Sequence, residues 1–175
     1  MQLNKLCKMQ RKCSRDADIG IMVAANEEWG VMARYDECFE FDDFLVFRRG
    51  DVVNYESSME SAYLRHVSSK LDLSAPRISF VLSDDIPDMV SFNGWLDKKE
   101  LIGLYKYRDM ETRIYIGNII SLTTKTLMLS EIDCEAESDG VFRHYSKSIS
   151  AISFGGGYTQ MLQKMLGMGD GDEYR

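Results

Sequence analysis

The chain has 175 residues, 45% of them hydrophobic and 28% charged, which suits one compact domain or two small ones and excludes a disordered chain. Lys and Arg number 21 against 28 Asp and Glu, a formal charge of -7. That balance disfavours a broad nucleic-acid-binding surface and leaves room only for a local basic patch. Two prolines exclude a proline-rich chain, and no apolar run is long enough for a transmembrane helix, so no membrane partner is expected.

At the start of the chain Lys5, Lys8, Arg11, Lys12 and Arg15 continue without an apolar stretch, which reads as a cytoplasmic start rather than a signal peptide. The cysteines are Cys7, Cys13, Cys38 and Cys134. They form no C-x-x-C pair, so neither zinc nor any other metal is expected, and free thiols with no disulfide are.

The first half reads as short strands followed by a helix over 57–71. Met59, Ala62, Tyr63, Val67 and Leu71 form its apolar stripe, and Ser57 with Glu60 forms a capping box. In the connection, 73–99, Ile78, Phe80 and Leu82 alternate like an extra strand. Five further strands are expected at Leu101–Tyr107, Arg113–Leu122, Thr126–Ile132, Val141–Tyr145 and Ile149–Phe154. Polar connections at Arg108–Glu111 and Ser138–Gly140 separate some of them. Tyr158, Met161, Leu162, Met165 and Leu166 then predict a second helix ended by Gly167, followed by a mobile tail over 169–175.

A shift of 97 residues pairs Ile19-Gly20 with Ile116-Gly117, Met22-Val23 with Ile119-Ile120, Val31-Met32 with Met128-Leu129 and Phe44-Leu45 with Val141-Phe142. A shift of 98 places Leu3, Leu6 and Lys8 on Leu101, Leu104 and Lys106. The spacing implies one unit written twice.

Gly20–Met32, with Asn26 and Gly30 in its bend, and Val46–Tyr55, with its Arg49-Gly50-Asp51 turn, resemble the two signatures of the Sm-like (LSm) family. Gly117–Leu129 resembles the first signature, and Ser146-Lys147-Ser148 stands where the second would have Arg-Gly-Asp. The family usually carries its helix before the barrel, whereas here it is expected after. The resemblance implies a mainly β fold with some α. It would consist of two tandem small Sm/SH3-like β-barrels, each followed by one helix, over 1–72 and 100–168. It also implies an RNA site at Asn26, Gly30 and Arg49, with Arg48 nearby and Trp29 as a stacking platform.

Acidic residues cluster between the third and fourth strands of each half: Asp36, Glu37, Glu40, Asp42 and Asp43 in the first, and Glu131, Asp133, Glu135, Glu137 and Asp139 in the second. Such patches attract basic proteins. Glu135, Glu137, Asp139 and Gly140 imitate part of a calcium loop, but Ser146 stands where its closing Glu is required. Gly155-Gly156-Gly157 precedes a helix without the Lys of a phosphate-binding loop, and His66 and His144 have no recognisable nucleophile nearby. No cofactor and no catalysis are expected.

The stretch Gly117–Ile120, Ile132-Asp133, Asp139-Gly140, Ile149–Tyr158 and Leu162/Leu166 resembles small bacterial immunity proteins. The favoured reading is therefore a non-enzymatic cytoplasmic binding protein that inhibits a toxin, such as a basic nuclease, through its acidic hairpins. The alternatives are an Sm-like RNA-binding protein and a self-assembling structural subunit.

Overall fold

The computed structural model describes residues 1–12, 14, 16–71, 73, 80–95, 100–108 and 111–167. Five strands come from the first half: β1 (Leu6–Arg11), β2 (Asp18–Ala25), β3 (Trp29–Tyr35), β4 (Phe41–Arg48) and β5 (Val52–Ser57). Five come from the second: β6 (Leu101–Arg108), β7 (Glu111–Leu122), β8 (Thr126–Ile132), β9 (Ser138–Tyr145) and β10 (Ile149–Phe154). These bounds lie close to the strands expected over 101–154, except that Ser138–Gly140 already belongs to β9 and the turn falls before it. The α-helices whose bounds lie among the described residues are α1 (Ala62–Lys70), α2 (Ile86–Phe92) and α3 (Gly157–Met165).

The strands form one antiparallel open sheet in the order β5-β1-β2-β3-β4-β10-β6-β7-β8-β9. This corrects the expectation of two closed barrels each followed by a helix. Instead of closing within its own half, β4 pairs with β10, with Phe47 opposite Ala151 and Phe44 opposite Phe154. The physical reason lies in β10, Ile-Ser-Ala-Ile-Ser-Phe, all six of whose residues are buried. It offers β4 an apolar neighbour, and the Phe44 and Phe154 rings stack at 5.5 Å. β5 and β9 are left as the two edges.

Within that sheet the order β5-β1-β2-β3-β4 recurs as β10-β6-β7-β8-β9. Met22 faces Met32 before a bulge in β2, and Ile119 faces Leu129 before a bulge in β7, both offset by 97. The first strands depart from the shift of 98. Leu6 pairs with Ile21 and Leu101 with Asn118, so β1 and β6 are offset by 95. The turn between first and second strands is shorter in the second half, and apolar matching alone does not register it. At Gly20 an added Cβ would collide with the Ala33 carbonyl, and at Gly117 with the Ser130 carbonyl. Both halves thus need glycine for the same close strand approach.

A large core cluster draws on both halves, including Trp29, Val31, Phe44 and Val46 with Ile102, Leu104, Leu127 and Ile152. Ile86, Met89, Val90 and Trp95 from the connection join it. Phe80 and Leu82 pack on the same cluster without forming the expected strand, and Ile78 lies outside the described residues. The signal for α2 was present in Ile86, Met89 and Val90 at helical spacing, with Pro87 in the first turn.

α1 begins at Ala62, not 57. Ser61 is its N-cap, accepting from the Leu64 N–H, while the Glu60 carboxylate holds the Ser57 N–H and hydroxyl in the preceding turn. Leu64 and Val67 are its buried face, and Met59, Tyr63 and Leu71 are exposed. α3 buries Thr159 and Leu162, whereas Tyr158, Met161, Met165 and Leu166 face solvent; Gly167 closes it with a left-handed φ of 68°. The stripes read as core-facing are therefore largely exposed, because each helix lies on the sheet along a narrower seam.

Cys7, Cys38 and Cys134 are free. Cys13 and the tail over 169–175 lie outside the described residues. Among the described residues no helix is long and apolar enough to cross a membrane.

Candidate protein-binding surface

Two acidic hairpins follow from the same local chemistry. Aspartate at the start of a turn accepts backbone N–H groups that the ladder no longer serves. Asp36 Oδ1 accepts from the N–H groups of Cys38 and Glu40, each at 2.9 Å, and Asp133 Oδ1 accepts from those of Glu135 and Glu137, each at 2.9 Å. Phe39 and Ala136 take matching left-handed conformations, φ 62° and 61°. Glu37, Glu40 and Asp42 are exposed beside the first turn, and Glu135, Glu137 and Asp139 beside the second. Asp36 and Asp133 shape the turns as well as charging them.

Two members of the acidic set belong elsewhere. Asp43 is 6% exposed and bonded to the Arg34 guanidinium, which also reaches Asp18 Oδ1 at 3.0 Å and the Tyr105 hydroxyl of the second half at 3.3 Å. Burial works against the Arg34 charge, but the Asp43 carboxylate outweighs it and raises the pKa further. Asp18 also takes the Arg11 Nε–H at 2.8 Å. Arg34, Asp43 and Tyr105, with Ser153 and Thr159, line a cavity of about 200 Å³ between β3, β4, β6, β7, β10 and the start of α3. It is smaller than the roughly 300–1,000 Å³ usual for small-molecule sites.

Glu131 is likewise buried, with Oε1 2.6 Å from His144 Nε2. Burial, aided by nearby Lys106, lowers the His144 pKa to about 4, so the imidazole is neutral near pH 7 and its Nε2–H donates to the carboxylate. Burial pushes the Glu131 pKa up, with Lys106 opposing. The Lys106 ammonium sits 5.0 Å from the centre of the Tyr115 ring, and the Tyr115 and His144 rings meet edge to face at 5.1 Å. His66 is exposed on α1.

The residues of the alternative RNA site do come together. Asn26 Oδ1 accepts from the Trp29 N–H at 2.7 Å, and Arg49 donates to the Asn26 carbonyl. Trp29 is fully buried, and its Nε1–H donates to the Asp84 carbonyl at 3.2 Å. Arg48 covers its ring at 4.4 Å while pairing with Glu28 and donating to the Ile149 carbonyl at 3.0 Å. The indole offers no open face to a base, and Arg48 instead fastens β4 to β10. Gly30 is also enclosed, since an added Cβ would strike the Phe47 ring.

Sequence reasoning missed the Arg34 and His144 clusters. Their available signal was a charge inside an apolar-patterned strand: Arg34 between Ala33 and Tyr35, and Glu131 two residues past Leu129 and directly before Ile132. Among the described residues no group of three or more His, Cys, Asp or Glu side chains is placed to hold a metal ion. The chain matches no protein-family model, no curated protein and no solved structure.

Proposed function

We propose that this chain is a non-catalytic binding protein that captures a basic protein through its acidic hairpins, and that its partner is a toxin domain, such as a nuclease, whose substrate groove it covers. The observation that supports this reading is the matched pair of turns. Each is pinned by an aspartate and each displays exposed carboxylates beside it. Rigid presentation lowers the entropy lost on docking, and same-sign charge speeds encounter with an oppositely charged surface.

The test uses the product of the neighbouring gene or another candidate basic toxin domain. Association with the native chain should be fast and should slow about tenfold or more as salt rises. Glu135→Lys/Glu137→Lys/Asp139→Lys and, separately, Glu37→Lys/Glu40→Lys/Asp42→Lys identify which hairpin engages. Unchanged association by both variants at low salt would remove the hairpins from the site.

A further inference from the structure

Among the described residues one strand joint links the two halves, and the strands equivalent to its two sides form the edges of the sheet. The joint is β4 against β10, with Phe44, Leu45, Val46 and Phe47 opposite Phe154, Ser153, Ile152 and Ala151. At the offset of 97, β4 corresponds to β9 and β10 to β5, and these are the two edge strands of the sheet. We propose that copies of this chain associate head to tail, β9 of one copy pairing antiparallel with β5 of the next in the register of the internal joint.

That register places Val141 opposite Ser57, Phe142 opposite Glu56, Arg143 opposite Tyr55 and His144 opposite Asn54. Phe44 and Leu45 are fully buried, yet their counterparts Val141 and Phe142 are 52% and 47% exposed. Neither β5 nor β9 contains the proline that commonly blunts an exposed edge. In that register His144 and Asn54 stand on one face, while the His144 Nδ1, without a hydrogen-bond partner among the described residues, is enclosed within its own chain. Arg143 meets the Tyr55 ring on the other face, a pairing suited to cation–π contact.

The joint between copies is more polar than the internal one, since Asn54, Tyr55 and Ser57 stand for Ala151, Ile152 and Phe154. The association is accordingly reversible and concentration-dependent. Because the two surfaces differ, each copy takes a neighbour at both ends, giving a closed ring or an open filament and not a two-fold dimer. This inference is independent of the proposed toxin partner.

The test uses the full chain. Light scattering after size exclusion should show an average mass that rises with concentration beyond that of a dimer, and Val141→Lys/Phe142→Lys should return it to the monomer with an unchanged circular dichroism spectrum. A chain monomeric at every concentration would overturn the proposal. For register, Glu56→Cys and Phe142→Cys are combined in a background with Cys13, Cys38 and Cys134 changed to Ser. Directly opposed strand residues lie within disulfide reach. The proposal requires a ladder of disulfide-linked species from the double variant and none from either single variant. A linked dimer from Phe142→Cys alone would indicate two-fold β9 pairing and refute it.

Discussion

Arg34 and Glu131 occupy the same position in the two halves and carry opposite charges. Arg34 faces Gly20 across β2 and β3, and Glu131 faces Gly117 across β7 and β8. The residues around them differ correspondingly. Asp18, which pairs with Arg34, has Tyr115 as its counterpart, and Arg11 beside Asp18 has Lys106 beside Tyr115. One buried polar position has thus been satisfied twice by different chemistry.

Arg34→Met should destabilise the fold by about 3–5 kcal/mol, because it leaves the Asp18 and Asp43 carboxylates buried without their shared cation. Arg34→Lys should recover only part of the loss, since a single ammonium cannot replace the fork that reaches both acids. Urea denaturation of the three proteins checks this.

His144→Phe places in β9 the residue type that Phe47 supplies in β4. Alone it should cost about 1–3 kcal/mol, because Glu131 loses its donor. Combined with Glu131→Leu it should cost less than the single change, a coupling that a double-mutant cycle reads directly.

The acid dependence of this cluster has a defined sign. The His144 pKa falls from 6.5 unfolded to about 4 folded, so the unfolded chain binds the extra proton first. Its contribution to stability is complete above pH 6.5 and is lost as pH falls towards 4, a change of about 3 kcal/mol. Glu131 acts in the opposite sense, because its raised pKa lets the folded chain keep a proton to higher pH, and the net slope is shallower than for the histidine alone. Imidazole NMR shifts should therefore show His144 neutral at pH 5.

Most of the β-structure was legible. The strands of the second half carry clear apolar patterns, and Gly20 and Gly117 mark equivalent approaches. The pairing of β4 with β10 was not legible, because a strand's own pattern shows which faces are buried and not which neighbour buries them. The acidic clusters were legible as charge, but Asp43 and Glu131 read the same as Glu37 and Glu135 until the sheet placed cations or imidazole beside them. α2 was obscured by the alternation of Phe80 and Leu82, whose side chains pack on the core from a segment that is not a strand.

Gly20→Ala and Gly117→Ala should each destabilise by about 1–3 kcal/mol, since the obstacle in both cases is a backbone carbonyl that cannot swing aside. Gly50→Ala, with no atom near the added carbon, should have little effect. Thermal melts of the three variants make the comparison.

Cys38 and Cys134 should react with an alkylating reagent in the folded protein, while Cys7 stays protected until unfolding. Cys7 is buried, its S–H donates to the Gly20 carbonyl, and burial pushes its pKa up to about 12. Mass spectrometry over time separates the classes.

The union of the two halves rests on one sheet continuing from β4 into β10. Nuclear Overhauser contacts along β4 test that most directly. Contacts from Val46 to Ile152 and from Leu45 to Ser153, with slowly exchanging amides between them, are the predicted result. Contacts from Phe44–Phe47 to Val52–Ser57, closing the first half on itself, would contradict it.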